Sequence, residues 1–353
     1  MAIDLFETRT MLEALDQMYP PRTFLRDTFF TRTDPVETEN IDIDIYKGKR
    51  RTAAYVSSEA EGQVVSRIGF TTFTYKPPYI KQKKALKPRD LITRTAGSTI
   101  YMGESPLQRQ ARQVAVDLQD LDDMITRAEE VQCAQALFQG KTQLLDGNWL
   151  IFPQSPTHLI TAMQYLWSDT VNSDPLKDAG IWRRQLIRDS GIAPDTMIFG
   201  ADAINAFVEH PKVGGNTGAL SSVKVDRGQI NPQLLEEGVT YWGYIAELGC
   251  DIYSYDEWYI PPGAPDTSEA VPMMPLNGVW MGSKRARMDM AYGPIMNIKA
   301  GGLVPVKRFP TSWITDDPSV RWMMLESAPL AIPVQLDSFL FAQVVALSKE
   351  QLG

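Results

Sequence analysis

Leu107, Ala111, Val114, Leu118, Leu121, Ile125 and Ala128 recur at alternating steps of four and three. That spacing sets all seven along one face of a single helix. Ser105-Pro106 with Gln108 supplies an N-cap, a proline at the first helical position and a capping-box acceptor. The pattern continues to Phe138 and stops at Gly140, the residue type favoured just beyond a helix end. The spacing therefore predicts one helix over 105–139, roughly 50 Å long at about 1.5 Å per residue. A helix of that length with one apolar stripe is a beam to be laid across a sheet; a coiled coil is the alternative reading.

Upstream the period changes to two. Ile41, Ile43 and Ile45 alternate with Asp42 and Asp44, the mark of a strand with one buried face. Residues 54–57 and 63–75 read as extended arms around a turn at 57–62, with Phe73 and Tyr75 on one face and Thr72 and Thr74 on the other. Residues 41–94 hold twelve Lys or Arg against five Asp or Glu, an excess of +7 in a chain whose net charge is −8. A hairpin this polar has little core of its own and is unstable alone. It gains a purpose if it lies across an adjacent subunit, whereas a solvated loop is the plainer reading. Residues 1–40 resemble an arm. Leu5, Met11, Leu12, Leu15 and Met18 lie near helical spacing until Tyr19-Pro20-Pro21, and Phe24, Leu25, Phe29 and Phe30 form a second cluster. These aromatics need cover from something else, a neighbouring copy being the candidate.

Past Gly140, residues 141–152 read as a hairpin around Asp146-Gly147-Asn148. From about 166 the texture is mixed α/β. A helix is expected through Ile181–Ile187 and a buried strand at Met197–Gly200. Another helix passes through Ala203, Phe207 and Val208 and stops at Pro211. Strands are expected at 239–247, 250–256 and 279–281, and loops at 214–218 and 261–275. Alternating apolar residues return from Trp313 through Leu336. The fold class is α+β, and the 353 residues suggest about two domains.

The search for chemistry returns little. Gly140-Lys141-Thr142 copies the end of a phosphate loop, but position 135 is glutamine and the approach is from a helix. Asp117, Asp120, Asp122 and Asp123, with Glu129 and Glu130 beyond, are spread around the long helix and read as a solvated outer face. Asp42 and Asp44 read as the solvent side of a sheet. His158 lies in a turn, and His210 stands at a helix end, where a charged imidazole would complement the dipole. Cys133 and Cys250 make neither a disulfide framework nor a zinc spacing, which fits a reducing cytoplasm. No Gly-x-Ser-x-Gly elbow or His-Glu-x-x-His motif occurs. The first residues are not expected to form a signal peptide, nor any segment to span a membrane. The acidic balance argues against general nucleic-acid binding. No catalytic, cofactor or metal site is expected, although an unrecognised hydrolase domain stays open as a rival.

The C-terminal run Arg308-Phe309-Pro310-Thr311-Ser312-Trp313-Ile314-Thr315, then Asp317-Pro318 and Glu326-Ser327-Ala328-Pro329-Leu330, resembles the closing segment of lambda-type phage major capsid proteins, the capsid protein E family. Tyr75-Lys76-Pro77-Pro78-Tyr79-Ile80-Lys81, Leu91-Ile92-Thr93-Arg94 and Gly140-Lys141-Thr142 add to the resemblance, which runs the whole length in the same order. Between about 165 and 300 it is one of texture.

The resemblance implies the Hong Kong 97-type capsid fold. Its parts would be an N-terminal arm (1–40), an extended loop (41–95), a peripheral domain (96–165) with its spine helix at 105–139, an axial domain (166–315) and a C-terminal return to the peripheral domain (316–353). It implies a virion shell subunit, not an enzyme, that is assembled in the host cytoplasm into hexamers and pentamers. Those would enclose double-stranded DNA without binding it specifically. Lys76, Lys81, Lys83, Lys84, Phe73, Tyr75, Phe29 and Phe30 are then the expected inter-subunit contacts. A separate scaffolding protein, a portal and a trimeric decoration protein are the expected partners. An encapsulin-like nanocompartment shell is the other reading of the same fold.

Overall fold

The long helix ends where its glycine stands. Gly140 adopts φ 63°, in the left-handed region, and its N–H bonds back to the Gln135 carbonyl to close a π-helical last turn. The computed structural model describes residues 7–17, 23–46, 70–89, 106–144, 148–214, 233–236, 238–265, 268–298, 301–317 and 319–346. Ser105, the expected N-cap, the expected turn at 57–62 and Asp146-Gly147 of the expected turn at 146–148 lie outside these, as do Leu5, Met18 and the loop from 215.

The chain opens with helices α1 (Thr8–Gln17) and α2 (Phe24–Phe29), followed by strands β1 (Arg32–Pro35), β2 (Ile41–Tyr46), β3 (Phe70–Tyr75) and β4 (Ile80–Leu86). The spine α3 (Pro106–Ala134) with its π turn (Gln135–Gln139) leads into β5 (Lys141–Gln143), β6 (Trp149–Ile151) and β7 (Leu159–Ile160). Next come α4 (Pro175–Asp189), β8 (Thr196–Phe199), α5 (Ala201–Glu209), α6 (Pro211–Gly214) and β9 (Gln233–Glu236). Strands β10 (Val239–Ile245), β11 (Cys250–Tyr255), β12 (Trp258–Tyr259), β13 (Val271–Pro272) and β14 (Gly278–Gly282) follow. The chain closes with β15 (Met288–Tyr292), β16 (Ile295–Asn297), β17 (Gly302–Val304), β18 (Phe309–Thr315), β19 (Val320–Ser327), β20 (Pro329–Pro333) and β21 (Leu340–Gln343).

Seven strands form one mixed sheet in the order β7-β21-β14-β8-β11-β10-β9. Its central strands are apolar on both faces because both are covered. Met197, Phe199, Val279, Met281 and Leu340 pack with Trp167 and with α4 and α5. Ile198, Trp280, Phe341, Tyr253 and Tyr255 face the opposite core, which holds Leu25, Phe29, Cys133, Leu137 and Phe138. The spine thus drives its last two turns into the second core. At Gly200 a Cβ would lie 2.3 Å from the Pro275 carbonyl oxygen, so only glycine lets β8 turn into α5 there.

The rest of the spine lies on the three-stranded sheet β18-β19-β4. Leu121 and Ile125 meet Leu325, and Val114 and Leu118 meet Met323 and Leu86. The helix is a beam across a sheet, and from Val114 to Ile125 its stripe is covered within the chain.

Two expectations change. The arm was expected to find its cover elsewhere, but Met11 of α1 packs at 1% exposure among Leu86, Val114, Leu118 and Met323. Strand β1 pairs in parallel with β15. The domain boundary at 315/316 would divide the β18–β19 hairpin, whose register pairs Thr315 with Val320. The last strand, β21, joins the seven-stranded sheet beside β14, where Phe341 meets Phe138 of the spine's last turn at 6.1 Å. Alternation tells which residues are covered but not which strand supplies the cover.

Candidate functional site

Strand β18 begins one residue after Arg308, whose side chain reaches the spine. Its Nε donates to Asp122 Oδ1 at 2.6 Å, its Nη1 to Glu129 Oε1 at 2.5 Å, and its Nη2 to Thr126 Oγ1 at 3.2 Å. Arg26 of α2 comes from the other side, with Nη1 2.8 Å from Glu129 Oε2. The Glu129 side chain is 0% exposed between two guanidinium groups. Burial lowers the pKa of both arginines, but the Glu129, Asp122 and Asp27 carboxylates outweigh it and hold each above its ordinary value.

Glu130, 1% exposed, accepts the N–H groups of Leu25 at 2.7 Å and Arg26 at 3.0 Å, together with the Tyr255 hydroxyl at 3.1 Å. The acidic run on the spine is therefore only in part a solvated face, to which Asp120 belongs. Asp117, Asp122, Glu129 and Glu130 are bonded inside the subunit, because arm, spine and C-terminal sheet converge there.

The expected contact residues divide into two sets. Phe29 and Phe30 are each 1% exposed; Phe29 lies edge-on to Trp280 at 4.7 Å. Tyr75 is 5% exposed and edge-on to Phe152 at 5.9 Å. The apolar area of these three is used within the subunit, against the expectation that they await a neighbour. Phe73 is half-buried and stacked on Tyr75 at 6.2 Å.

The lysines lie at the surface but are not equivalent. Lys76 pairs with exposed Glu39. Lys81 holds Glu326, whose side chain is 2% exposed, at 2.9 Å, while Lys84 bridges to Asp117 and Asp120 on the spine. Lys83 stands 4.8 Å over the Trp322 ring, on the sheet face turned away from the spine, where Trp322 stacks on Trp313. Of the three β4 lysines, Lys83 lies over a ring, whereas Lys81 and Lys84 hold carboxylates.

Strands β2 and β3 pair from Ile41–Tyr75 to Tyr46–Phe70 as a sheet of two, with both outer edges open among the described residues. Ile41 and Tyr75 anchor it in the core, while Thr74 donates to exposed Asp42 at 2.6 Å. An open-edged ribbon of this kind is a template for pairing with another chain. A groove of about 930 Å³ runs along the spine, lined by Met124, Val131, Pro78, Tyr79, Leu144 and Ile260 among others.

The features that resemble chemistry have structural explanations. Ser173 Oγ lies 3.0 Å from His210 Nε2, a serine–histidine pair. His210 Nδ1 accepts the Lys212 N–H, so Nε2 carries the ring proton and cannot receive one from the serine, which donates instead to the Asp169 carbonyl. Burial, with Lys212 beside it, holds the His210 pKa below its ordinary value, so the expected charged-dipole role gives way to a neutral, bonded ring. His158 is buried against Asp189 at 3.1 Å. Thr142, after Gly140-Lys141, is fully buried in the β5–β6 hairpin, where no phosphate could reach it. Burial pushes the Cys250 thiol up to about 12 and holds the Cys133 thiol well above its ordinary value. Among the described residues no helix is long and apolar enough to cross a membrane.

The match to known proteins agrees with this arrangement. A model of the family "Phage major capsid protein E" matches residues 7–344. The major capsid protein of Enterobacteria phage P21 is 27% identical over 96% of this chain and 99% of its own. That of Escherichia phage lambda is 24% identical over 97% of this chain and 100% of its own. A crystal structure of a protein assigned to the capsid of an Escherichia coli CFT073 prophage superposes with a TM-score of 0.69 at 19% identity, covering 98% of this chain and all of that one. A phage-related protein from Bordetella bronchiseptica gives a TM-score of 0.55 at 13% identity, with 98% of this chain covered. The architecture is the α+β capsid fold of Hong Kong 97 type. With the family model spanning both sheets, the spine and most of the arm, the chain belongs to the phage major capsid protein E family, whose members are structural shell proteins and not enzymes.

Proposed function

We propose that this chain builds the head of a tailed double-stranded DNA phage, with hexamers and pentamers closing into an icosahedral shell in the host cytoplasm. The observation that carries the reading is the β2–β3 ribbon, anchored in the core at one end by Ile41 and Tyr75 and open along both edges among the described residues. The ribbon, with the adjoining residues to 95, acts as the extended loop over a neighbour. The spine with β4, β18 and β19 acts as the peripheral part, and the seven-stranded sheet with α4 and α5 as the axial part. Lys83, Lys76 and Phe73 are the contact residues retained; Lys81 and Lys84 also hold carboxylates of their own subunit. A scaffolding protein, a portal at one vertex and a trimeric decoration protein complete the assembly. The acidic balance keeps packaged DNA from adhering to the wall.

Lys83→Glu tests this without unsettling the subunit. Lys83 is exposed and loses only a ring contact, so the Tm of the purified subunit should move by no more than about 2 °C. The yield of closed particles, counted by electron microscopy, should fall sharply. Normal yields would remove Lys83 from the interface. Reversing Lys81 or Lys84 is a poorer test, because Glu326 and Asp117 would lose their cations.

A further inference from the structure

We infer that the trough between the spine and β4 is a strand-binding site, and that it takes one extended segment of a separate protein in which apolar and acidic residues alternate. The inference goes beyond the shell reading and is tested on the single subunit, so its failure would leave that reading standing.

The shape points to a strand. One wall of the trough is made by five consecutive residues, Pro78 to Gln82, the entry and first turn of the pleat of β4. Successive side chains of a strand point to opposite faces, so a hollow on one face would touch only every second residue. This hollow therefore runs along the edge of the strand. Among the described residues β4 is the last strand of the β18-β19-β4 sheet, so that edge has no ladder partner there. An edge of this kind is where an extended segment adds to a sheet.

The other wall is the spine. Met124, Arg127, Ala128, Val131, Gln132 and Gln135 follow helical spacing and form a second stripe beside the one that packs on the sheet. Met124 is 48% exposed, and Gln132, though buried, has an amide oxygen without a hydrogen-bond partner. From Met124 to Gln135 the wall is roughly 16 Å long at about 1.5 Å per residue. That is the length of about five extended residues.

The dimensions suit one strand. Spread over that length, about 930 Å³ leaves a cross-section of roughly 60 Å². A single strand occupies roughly 50 Å², from about 4.8 Å between strands and about 10 Å between layers. The β2–β3 ribbon of a second copy has a matching alternation in Ile41-Asp42-Ile43-Asp44, but its two paired strands need about twice that area.

Charge sets the sequence of the occupant. A strand added to β4 extends the sheet, so its side chains alternate between the spine face and the face turned away. On the spine face it meets Ile80, Met124 and Val131, which favour apolar residues. On the other face its neighbours are Lys81 and Lys83, beside which a carboxylate is stabilised and a lysine is not. Lys81 holds Glu326 yet keeps half of its side chain exposed, Lys83 lies over the Trp322 ring, and exposed Arg127 adds a cation at the rim. A second β4, with lysines at 81, 83 and 84, is repelled by the same charges.

Fluorescence anisotropy of a labelled heptapeptide alternating valine and glutamate, titrated with the purified full chain, tests this. Saturable binding is expected, weaker by about tenfold or more for the valine–lysine counterpart. It should slow hydrogen exchange of the Ile80–Leu86 amides. Ala128→Trp fills the trough, and Met124→Glu sets a like charge on its exposed wall. Each should weaken binding by about tenfold or more while the Tm stays within about 2 °C. Absence of binding, equal binding of the valine–lysine peptide, or binding unchanged in either variant would overturn the site. So would protection of the Ile80–Leu86 amides in closed shells without peptide, which would give the trough to a second copy.

Discussion

Arg308→Leu is expected to lower the stability of the subunit by about 3–5 kcal/mol, the usual consequence of leaving a buried carboxylate without its partner. The change strips Glu129 Oε1 and Asp122 Oδ1 of their guanidinium at once. Glu129 is fully buried and retains only Arg26 of the two arginines. Arg308→Lys should fall between leucine and wild type, because an ammonium restores the charge but cannot reach Asp122, Glu129 and Thr126 as a fork. The urea midpoint of the purified subunit gives the measurement. A shift worth less than about 1 kcal/mol for Arg308→Leu would mean that the pair is no better than a surface one.

Leu121→Pro should prevent the subunit from accumulating in soluble form. Proline inside a helix removes a backbone hydrogen bond and clashes with the preceding turn, costing about 3 kcal/mol or more. Leu121 is also 1% exposed against Ile125 and Leu325, so its lost packing adds about 2 kcal/mol. The sum rivals the roughly 5–15 kcal/mol that holds a domain folded. Met124→Pro separates the two effects, since Met124 is 48% exposed and carries little packing. It should be less damaging than Leu121→Pro when soluble yields are compared by sedimentation. Equal, near-normal yields for both would contradict the account of the spine as the beam on which both cores depend.

Local features of the fold were legible because each is written within a few residues. The four-and-three stripe, Gly140 as the helix stop, the Phe73/Tyr75 face and the buried strand at 196–199 all follow from neighbours in sequence. The node was not, because its partners come from far away: Arg26 lies 103 positions from Glu129, and Arg308 lies 179. A helical wheel shows which way a carboxylate points but not that two arginines will meet it. The available signal was Arg308 at the head of the C-terminal run, where the family resemblance is strongest; in the structure that run supplies Arg308, Glu326 and Ser327 to buried polar contacts. The aromatic cluster of the arm was recognised as needing cover, and the cover proved to be Trp280 and its neighbours across the spine.

Imaging the purified full chain by electron microscopy across a range of concentrations tests the central claim most directly. The account requires closed shells of uniform size with the ribbon of 41–75 lying against an adjacent copy, whether the chain assembles alone or on a scaffolding protein. A chain that stays monomeric at every concentration and with scaffold present, its ribbon folded on its own body, would contradict it.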